Sequence, residues 1–281
     1  MKILITGGAG FIGSNLIQSL KNNTTHEITS LDNYFTGSIN NHIQGVCYIH
    51  DNVLNIASIP KQDVVFHLGE YSRVVPSFKD IEYLIQTNLY ATSVVIEQCK
   101  KWGAKLIYSA SSSKFGGNEN LSPYSWVKSK MVELILNYQK WYGLRYEICY
   151  FYNVYGDRQI LSGDYATVIG IFERLYKEGK PLTIYGDGNQ VRHFTHVNDL
   201  TNALLKVMTK NTNRNWYLSS EQEYSINEVA DLFKHHKIYK PKNIGERVNA
   251  VIPENSTKRD LDWSIKYDLK DWINDIINEQ K

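Results

Sequence analysis

Residues 2–16 read KILITGGAGFIGSNL, and three successive features of this stretch set the expected architecture. The first five residues, KILIT, predict a short buried strand. The glycine-rich run after them predicts a tight turn. Apolar residues then recur at helical spacing, at Leu16, Ile17 and Leu20. Strand, glycine turn and helix in this order are the context that a dinucleotide-binding fingerprint requires.

The glycines of this turn have the spacing G-x-x-G-x-x-G. Gly7 allows the tight turn, and Gly10 lets the backbone approach a pyrophosphate that rests on the helix N-terminus. Gly13 lets the helix pack closely on the strand. A β–α turn without any ligand would also be glycine-rich, but here the motif lies between the required elements. We therefore expect a dinucleotide at this turn, with Phe11 and Ile12 also in contact.

An acidic residue follows the second apolar run. Residues 27–31 predict a strand, and Asp32 and Asn33 come directly after it. An acid about 20 positions beyond the glycines hydrogen-bonds the adenosine ribose. A helix cap or a turn residue is the alternative for an aspartate in this place. Because its charge would repel a 2′-phosphate, Asp32 predicts NAD rather than NADP.

Strand and helix patterns alternate through the first half of the chain. Strands are predicted over 46–50, 63–67, 105–109 and 146–152, and helices over 81–102 and 124–142. This alternation predicts an α/β fold with a doubly wound parallel sheet, the Rossmann arrangement. Ligands of such sheets bind at the carboxyl ends of the strands. Further cofactor contacts are expected there, at Asp51, Asn52, Leu68, Gly69 and Ser109.

The character of the sequence changes after Asn153, where glycines, tyrosines and loops become denser. Helices are predicted over 167–178, 198–209, 225–234 and 268–278, and strands over 182–185 and 190–196. We expect a cofactor-binding domain at 1–158 and a smaller C-terminal α/β substrate lobe at 159–281. Some elements of the second part, at about 190–220, are expected to return to the first sheet.

Composition excludes several classes of protein. The 281 residues are 42% hydrophobic and carry a formal charge of +2, which gives no reason to expect a nucleic acid or membrane partner. The three cysteines lie far apart, without metal-ligand spacing, so we expect a reducing compartment and no metal. The N-terminal apolar run is too short for a signal peptide, and no run approaches the length of a membrane helix. We expect a cytoplasmic protein.

A tyrosine and a lysine stand four residues apart in SPYSWVK, residues 122–128. On a helix that begins at Pro123, Tyr124 and Lys128 share one face. A free tyrosine has a pKa near 10, and a neighbouring ammonium group favours the phenolate. This spacing is also common in helices with an ordinary exposed lysine. The dinucleotide turn earlier in the chain favours the functional interpretation, in which Tyr124 carries a proton.

These motifs together resemble the extended short-chain dehydrogenases/reductases that act on nucleotide sugars, and most nearly the UDP-glucose 4-epimerase-like group. The matching blocks, in the order of the family, are TGGAGFIGSNL (6–16), LDN (31–33), VVFHLG (64–69), the serine run before Phe115-Gly116, SPYSWVK (122–128), FYNVYG (151–156) and YGDGNQVRHFTHVND (185–199). They span most of the chain.

The resemblance implies roles for individual residues. Ser111 would hydrogen-bond the reacting sugar oxygen, Tyr124 would be the acid/base and Lys128 would bind the nicotinamide ribose. Asn153 and Arg192 would hold the substrate diphosphate, with Tyr185 near the nucleotide base and Arg247 as a second diphosphate arginine. Ordinary surface or capping roles are the alternatives for these four. The remaining implied contacts are Asn88 for the cofactor and Glu70, Ser72 and Ser112 for the substrate.

Three departures from the family bear on the reaction. The 4,6-dehydratases carry an Asp-Glu pair after the catalytic residue, and the decarboxylases use a Glu in that turn, whereas Ser112 and Ser113 stand here. Glu70 replaces a small residue beside the cofactor, where it would touch the sugar, stabilise the oxidised nicotinamide or be a satisfied loop residue. The arginine-containing motif before the last Leu-x-Trp is not clear in residues 252–263.

The resemblance implies an NAD-dependent enzyme and a homodimer that pairs through helices 81–102 and 124–142. Its substrate would be a nucleotide-linked hexose, with UDP favoured and GDP or dTDP as alternatives. Oxidation at C4 and return of hydride to the other face would make the protein a 4-epimerase. Release of the 4-keto sugar would make it a 4-dehydrogenase or ketoreductase. A non-enzymatic NAD sensor is a third hypothesis, but such proteins often lose the serine, tyrosine or lysine that this chain keeps.

Overall fold

The computed structural model describes residues 1–116, 118–245, 247–249, 251–253 and 256–280. Its strands are β1 (Lys2–Thr6), β2 (Glu27–Asp32), β3 (Cys47–His50), β4 (Val64–His67), β5 (Lys105–Ser111), β6 (Tyr146–Phe151), β7 (Asn153–Tyr155), β8 (Leu182–Tyr185), β9 (Val191–His196), β10 (Asn215–Leu218), β11 (Glu223–Ser225) and β12 (Lys237–Lys240). Its helices are α1 (Phe11–Asn23), α2 (Ile81–Leu84), α3 (Ala91–Trp102), α4 (Pro123–Tyr142), α5 (Val168–Lys177), α6 (Val197–Thr209), α7 (Ile226–Leu232), α8 (Ser256–Leu261) and α9 (Leu269–Asn278).

Seven parallel strands form the main sheet in the order β10-β6-β5-β4-β1-β2-β3. The order reverses next to β1, which is the switch point where ligands of doubly wound sheets bind. The α/β prediction and the Rossmann arrangement are therefore confirmed. Strand β10 enters this sheet beside β6, although it comes late in the chain.

Alternate side chains of the central strands enter two separate cores. Ile3 and Ile5 pack with α1 and α6 on one face of the sheet, while Leu4 packs with α3 and α4 on the other. Because helices cover both faces, the strands are apolar at successive positions rather than at every second one. Two layers of helices thus fix the sheet, and with it the loops at the carboxyl ends of its strands.

The second part of the chain forms a smaller lobe around a third core. Strands β11, β9 and β7 form one small sheet, and β12 and β8 form another. Helices α5, α7 and α9 pack on these strands through Phe172, Val229 and Ile273, all of which are fully buried. Strand β12 and helix α8 were not predicted from the sequence.

The predicted helix over 81–102 is not α-helical throughout. Residues Ile85–Tyr90 form a π-helical segment between α2 and α3. Such segments are rare and often mark functional sites. Here the segment contains the fully buried Asn88, whose side chain accepts from the Tyr71 amide at 2.7 Å and donates to the Tyr71 carbonyl at 2.7 Å. The segment thereby fixes the loop that follows β4.

Candidate active site

One cleft of about 690 Å³ lies at the carboxyl ends of the strands. Its walls come from the glycine turn after β1, the loops after β2, β4 and β5, the start of α4 and the C-terminal lobe. Most residues predicted to bind cofactor or substrate line this cleft. No helix among the described residues is long and apolar enough to cross a membrane.

The glycine turn has the geometry that a bound pyrophosphate needs. Gly7 has φ of +72°, a conformation that favours glycine, and a side chain there would meet Gly69 backbone atoms at 2.8 Å. A Cβ on Gly13 would lie 2.1 Å from the Gly7 carbonyl oxygen, so the helix packs as the motif predicts. At Gly10 the nearest such atom is 3.3 Å away, which leaves the backbone open towards the cleft. The turn therefore fits a dinucleotide.

Asp32 closes the adenosine side of the cleft. Its carboxylate accepts from the Ala9 amide at 2.9 Å and from the Tyr34 amide at 2.8 Å. These two bonds fix the carboxylate beside the glycine turn, and each oxygen keeps a lone pair for another donor. The geometry agrees with a ribose contact and leaves an uncompensated negative charge where a 2′-phosphate would lie.

The neighbouring polar residues have local partners as well as a place on the cleft wall. Asn52 accepts from the Leu54 amide at 2.9 Å and caps a short 3₁₀-helix, while Asp51 accepts from the Asn55 side chain at 2.8 Å. Asn33 accepts from the Phe35 amide at 3.1 Å. The groups of Asp51, Asn52 and Asn33 that remain for a nucleotide are backbone carbonyls, backbone amides and the other lone pairs of their side-chain oxygens.

Asn88 does not line the cleft. It is fully buried, and both ends of its amide bind the Tyr71 backbone as described above. The cofactor contact expected of Asn88 therefore stays a prediction. In this structure Asn88 supports the loop after β4.

Ser111 and Tyr124 lie on the cleft where β5 ends and α4 begins. Ser122 caps α4 by accepting from the Ser125 amide at 3.1 Å, and Pro123 is the first helical residue. The Ser111 hydroxyl accepts from the Ser113 amide at 3.2 Å, which leaves its proton free to be donated. Tyr124 is 8% exposed, so its ring is buried while its edge faces the cleft.

Lys128 lies one turn beyond Tyr124 and is paired with Glu70. Its ammonium group donates to the Glu70 carboxylate and to the Ser109 carbonyl. These two bonds leave one N–H of the ammonium group for another acceptor. The lysine also lies 4.8 Å from the centre of the Tyr108 ring. Side chains of both members of the pair are at most 6% exposed.

Glu70 is satisfied by the protein on both of its oxygens. Its Oε1 accepts from Thr92 Oγ1 at 2.9 Å and from the Tyr108 hydroxyl at 3.1 Å, and its Oε2 accepts from Lys128. Of the three alternatives for this residue, the geometry favours the satisfied loop residue over a direct sugar contact. A buried carboxylate with three donors is also the expected partner for a buried ammonium group.

A hydrogen-bonded chain continues from this pair to β1. Thr92 bonds His67 Nε2 at 2.9 Å, and His67 Nδ1 bonds Thr6 Oγ1 at 2.7 Å. Burial lowers the pKa of His67 to about 4, so the ring is neutral near pH 7. The chain connects the strand before the glycine turn to Lys128. Sequence reasoning missed it, because its members are separated by up to 86 positions and share no motif.

The C-terminal lobe contributes Asn153, Tyr185, Arg192 and Arg247 to the cleft wall. Arg192 is 8% exposed and donates to the carbonyls of Val248 at 3.0 Å and Arg247 at 2.9 Å. It therefore fixes the segment that carries Arg247. Tyr185 is 38% exposed, which is consistent with a place at the mouth of the cleft.

Arg247 reaches the turn after β5. Its Nη2 donates to Ser112 Oγ at 3.0 Å, while its buried Nη1 has no hydrogen-bond partner in the described structure. Burial and the positive charge of Arg192 lower the pKa of Arg247 to about 10. This places the guanidinium beside the residue that follows Ser111. Sequence reasoning expected Arg247 at the diphosphate and did not predict the contact with Ser112.

Arg73 is a cleft residue that sequence reasoning missed. It follows Ser72, an exposed residue of the cleft wall, and donates to the carbonyls of Ser72 at 2.9 Å and of Tyr165 in the opposite lobe. Burial lowers the pKa of Arg73, and the Tyr124 hydroxyl partly offsets this by raising it. The signal that could have found it is the cation at the end of HLGEYSR, directly after β4.

The chain matches the profile of the NAD dependent epimerase/dehydratase family over residues 3–218. It is 32% identical over 308 aligned positions to a Methanocaldococcus jannaschii protein provisionally named UDP-glucose 4-epimerase, with 99% of this chain and 98% of that one covered. It is 33% identical to a UDP-N-acetyl-alpha-D-glucosaminuronate decarboxylase of Bacillus cytotoxicus, over 82% of this chain and 78% of the relative.

The fold is close to that of a solved UDP-glucose 4-epimerase of Thermotoga maritima in complex with UDP-glucose. The TM-score is 0.92 at 27% sequence identity, with 99% of this chain and 98% of that chain covered. The resemblance inferred from the motifs is therefore confirmed, and the chain belongs to the NAD dependent epimerase/dehydratase family of nucleotide-sugar enzymes.

Proposed function

We propose that the protein is an NAD-dependent 4-epimerase of a nucleotide-linked hexose, of the UDP-hexose type. The observation that carries the proposal is the convergence of Ser111, Tyr124 and Lys128 on the cleft that the glycine turn also lines. Relatives named as a UDP-glucose 4-epimerase support the UDP-hexose assignment. Bound NAD would supply the hydride acceptor and donor at C4.

The residues of the chain provide the proton transfer and the orientation. Tyr124 would take the proton of the C4 hydroxyl, while Ser111 donates a hydrogen bond to the same oxygen. Lys128 would hold the nicotinamide ribose with the N–H that Glu70 and Ser109 leave free. Its fixed position sets the distance between ribose and phenol, and errors of about 1 Å in such geometry can cost about 10²-fold in rate.

The diphosphate of the substrate would lie against the lobe. Asn153 and Arg192 both line the cleft, and a guanidinium matches the paired oxygens of a phosphate. The sugar would then extend towards Ser111 and Tyr124, with Tyr185 near the nucleotide base. After oxidation the 4-keto sugar would turn over in the cleft, the reduced cofactor would supply the hydride to the opposite face of C4, and Tyr124 would return the proton to the C4 oxygen.

Dehydration is not expected, because the turn after Ser111 holds no carboxylate. Loss of water across C5 and C6 requires an acid and a base. Ser112 accepts from Arg247, and neither Ser112 nor Ser113 has useful basicity near neutral pH. Glu70, the carboxylate that is paired with Lys128, is already bound by three donors.

A panel of UDP-, GDP- and dTDP-hexoses tests the proposal when products are identified by NMR and mass spectrometry. We expect a UDP-hexose to give its 4-epimer without accumulation of reduced cofactor. Stoichiometric 4-keto sugar together with reduced cofactor would instead assign a 4-dehydrogenase. Binding of NAD without any change in the sugars would contradict an enzymatic role and support the sensor hypothesis.

We further propose that the protein forms a homodimer through α3 and α4. Helix α4 exposes the aromatic side chains of Trp126, Trp141 and Tyr142, and Tyr90 is exposed directly before α3. A shallow groove between the helices is lined by Leu89, Met131 and Leu134. Light scattering at micromolar concentration is expected to give twice the chain mass, and a monomer would contradict this assembly.

A further inference from the structure

The sugar end of the cleft carries more positive charge than a neutral hexose requires. Two guanidinium groups, those of Arg73 and Arg247, line the cleft together with Ser111 and Tyr124. They come from different halves of the molecule, Arg73 from the loop after β4 and Arg247 from the lobe. Tyr124 is the proposed contact of the sugar C4 oxygen, so both cations lie near that part of the sugar.

Neither guanidinium has a counter-ion among the residues that the structure describes. Among the described residues, the hydrogen-bond acceptors of Arg73 are carbonyls of Ser72 and Tyr165, and that of Arg247 is the Ser112 hydroxyl. Arg73 Nε and Arg247 Nη1 are buried donors, and neither has a hydrogen-bond partner among the described residues. Buried donors without partners are costly, and a cation without a counter-ion adds to that cost.

The one acidic side chain that is buried beside the catalytic residues cannot serve as this counter-ion. Glu70 is paired with Lys128 and accepts from Thr92 and Tyr108 as well. The remaining acid of this end, Asp164, is exposed. A ligand with a negative charge close to C4 would therefore satisfy groups that the protein leaves unsatisfied.

The position of Arg247 indicates where on the sugar this charge lies. The Arg247 guanidinium donates to Ser112, the residue directly after Ser111. It therefore reaches the sugar end of the cleft and is not confined to the diphosphate end. The substituents on the two carbons next to C4 are the C3 hydroxyl and C6, and of these C6 is the one that can carry a carboxylate. A carboxylate at C6 presents two oxygens in the geometry that a guanidinium binds best.

We propose that the substrate is a nucleotide-linked hexuronic acid, whose C6 carboxylate is bound by Arg73 and Arg247. This inference rests on the proposed function, since it assumes that a nucleotide sugar binds with C4 at Tyr124. It assigns the two arginines a role in selecting the sugar, in contrast to Arg192 at the diphosphate. Charge-assisted bonds to a carboxylate that a neutral hydroxymethyl group cannot form give at least about a tenfold preference in Kd.

Calorimetric titration of the NAD-loaded protein with UDP, UDP-glucose and UDP-glucuronate tests the inference. We expect UDP-glucuronate to bind at least about tenfold more tightly than UDP-glucose. Arg73→Gln and Arg247→Gln should each reduce that preference while the affinity for UDP-glucose changes less. Arg73→Lys, which keeps the charge, should retain part of the preference. Arg259→Gln, at an exposed position on α8, is the matched control and should leave all three affinities unchanged.

Equal affinity for the two sugars would overturn the inference while leaving the proposed function intact. A preference for UDP-glucuronate that survives both glutamine substitutions would overturn the assignment of these arginines. A uniform loss of turnover with both sugars in Arg73→Gln, with unchanged affinities, would show that Arg73 only supports Tyr124. Failure of UDP and both sugars to bind would contradict the proposed function itself. Thermal unfolding of each variant separates these outcomes from misfolding.

Discussion

The two halves of the cleft hold their ligand-facing groups in different ways. In the half built on the main sheet, these groups are backbone amides and short side chains at strand ends, such as Gly10, Asp32 and Ser111. In the C-terminal lobe, they are long side chains, above all Arg192 on β9 and Arg247 on a loop. The difference teaches that the cofactor side of the cleft is built from the fold itself, whereas the side proposed for the substrate depends on side chains that substitutions can change without altering the fold.

The largest expected effect concerns Tyr124, the residue at the boundary between the two halves of the cleft. Tyr124→Phe keeps the ring in its buried place but cannot carry a proton. We expect turnover to fall by about 10²–10⁴-fold while NAD affinity is unchanged. Tyr142→Phe, on the exposed end of the same helix, is the matched control and should have normal turnover. A Tyr124→Phe enzyme with near-normal turnover would remove Tyr124 from the mechanism.

The cofactor half should discriminate between dinucleotides, whichever sugar is bound. NAD is expected to bind about 10²-fold more tightly than NADP, because the Asp32 carboxylate repels a 2′-phosphate and such like-charge contacts cost several kcal/mol. Asp32→Asn keeps an acceptor for the Ala9 amide. It should reduce the difference between the NAD and NADP affinities, mainly by raising the affinity for NADP. Calorimetry measures both affinities, with Asp262→Asn, at an exposed position outside the cleft, as the control. Equal affinities in the unaltered protein would contradict this interpretation of Asp32.

A third test addresses the support of Lys128. Glu70→Ala removes the acceptor of the ammonium group and leaves Thr92 and Tyr108 without their partner. We expect kcat to fall by about 10–10²-fold, since displacement of a positioned group by about 1 Å has effects of that size. Glu70→Gln keeps the shape and an acceptor and should lose less. Equal and normal kcat values for both variants would show that Lys128 is positioned without Glu70.

The smallest expected effect is on stability and involves one histidine of each half. Burial lowers the pKa of both His67 and His196 to about 4, below their ordinary 6.5. Each folded ring therefore stays neutral while the unfolded one binds a proton. Its contribution to stability is complete above about pH 6.5 and is lost as the pH falls towards 4, by at most about 3 kcal/mol per histidine.

Denaturant unfolding between pH 7.5 and pH 4.5 measures this dependence. His67→Gln and His196→Gln should each have a flatter profile of unfolding free energy against pH than the unaltered protein. His236→Gln is a control, because that histidine is exposed. If both variants have profiles as steep as that of the unaltered protein, these two histidines do not cause the loss of stability at low pH.

The same division explains what the sequence could predict. Regular patterns located β1, the glycine turn, α1 and the tyrosine–lysine helix within a residue or two, because apolar periodicity and capping residues are local signals. The π-helical segment at Ile85–Tyr90 and the buried role of Asn88 depend on a contact with Tyr71, which no local pattern encodes.

Long-range contacts also account for what was missed in the site. Arg73 and the chain from Thr6 through His67 and Thr92 to Glu70 come together only when the strands are side by side. Sequence periodicity predicts which residues lie on the sheet but not which side chains meet at its edge. The substrate lobe is harder still, because Asn153, Tyr185 and Arg192 lie on short strands and Arg247 lies on a loop, and short elements carry little periodicity.

The central claim, reversible oxidation at C4 without loss of water, is tested most directly by the fate of hydrogen in the product. The enzyme is incubated in heavy water with UDP-glucose, whose 6-hydroxyl is the group that a dehydratase removes, and the product is examined by NMR and mass spectrometry. The account predicts inverted C4, unchanged elemental composition and protium at both C4 and C5, because hydrogen leaves and returns within the cleft. A product lighter by one water, with deuterium at C5, would contradict it and would assign Glu70 as the acid/base of a dehydratase.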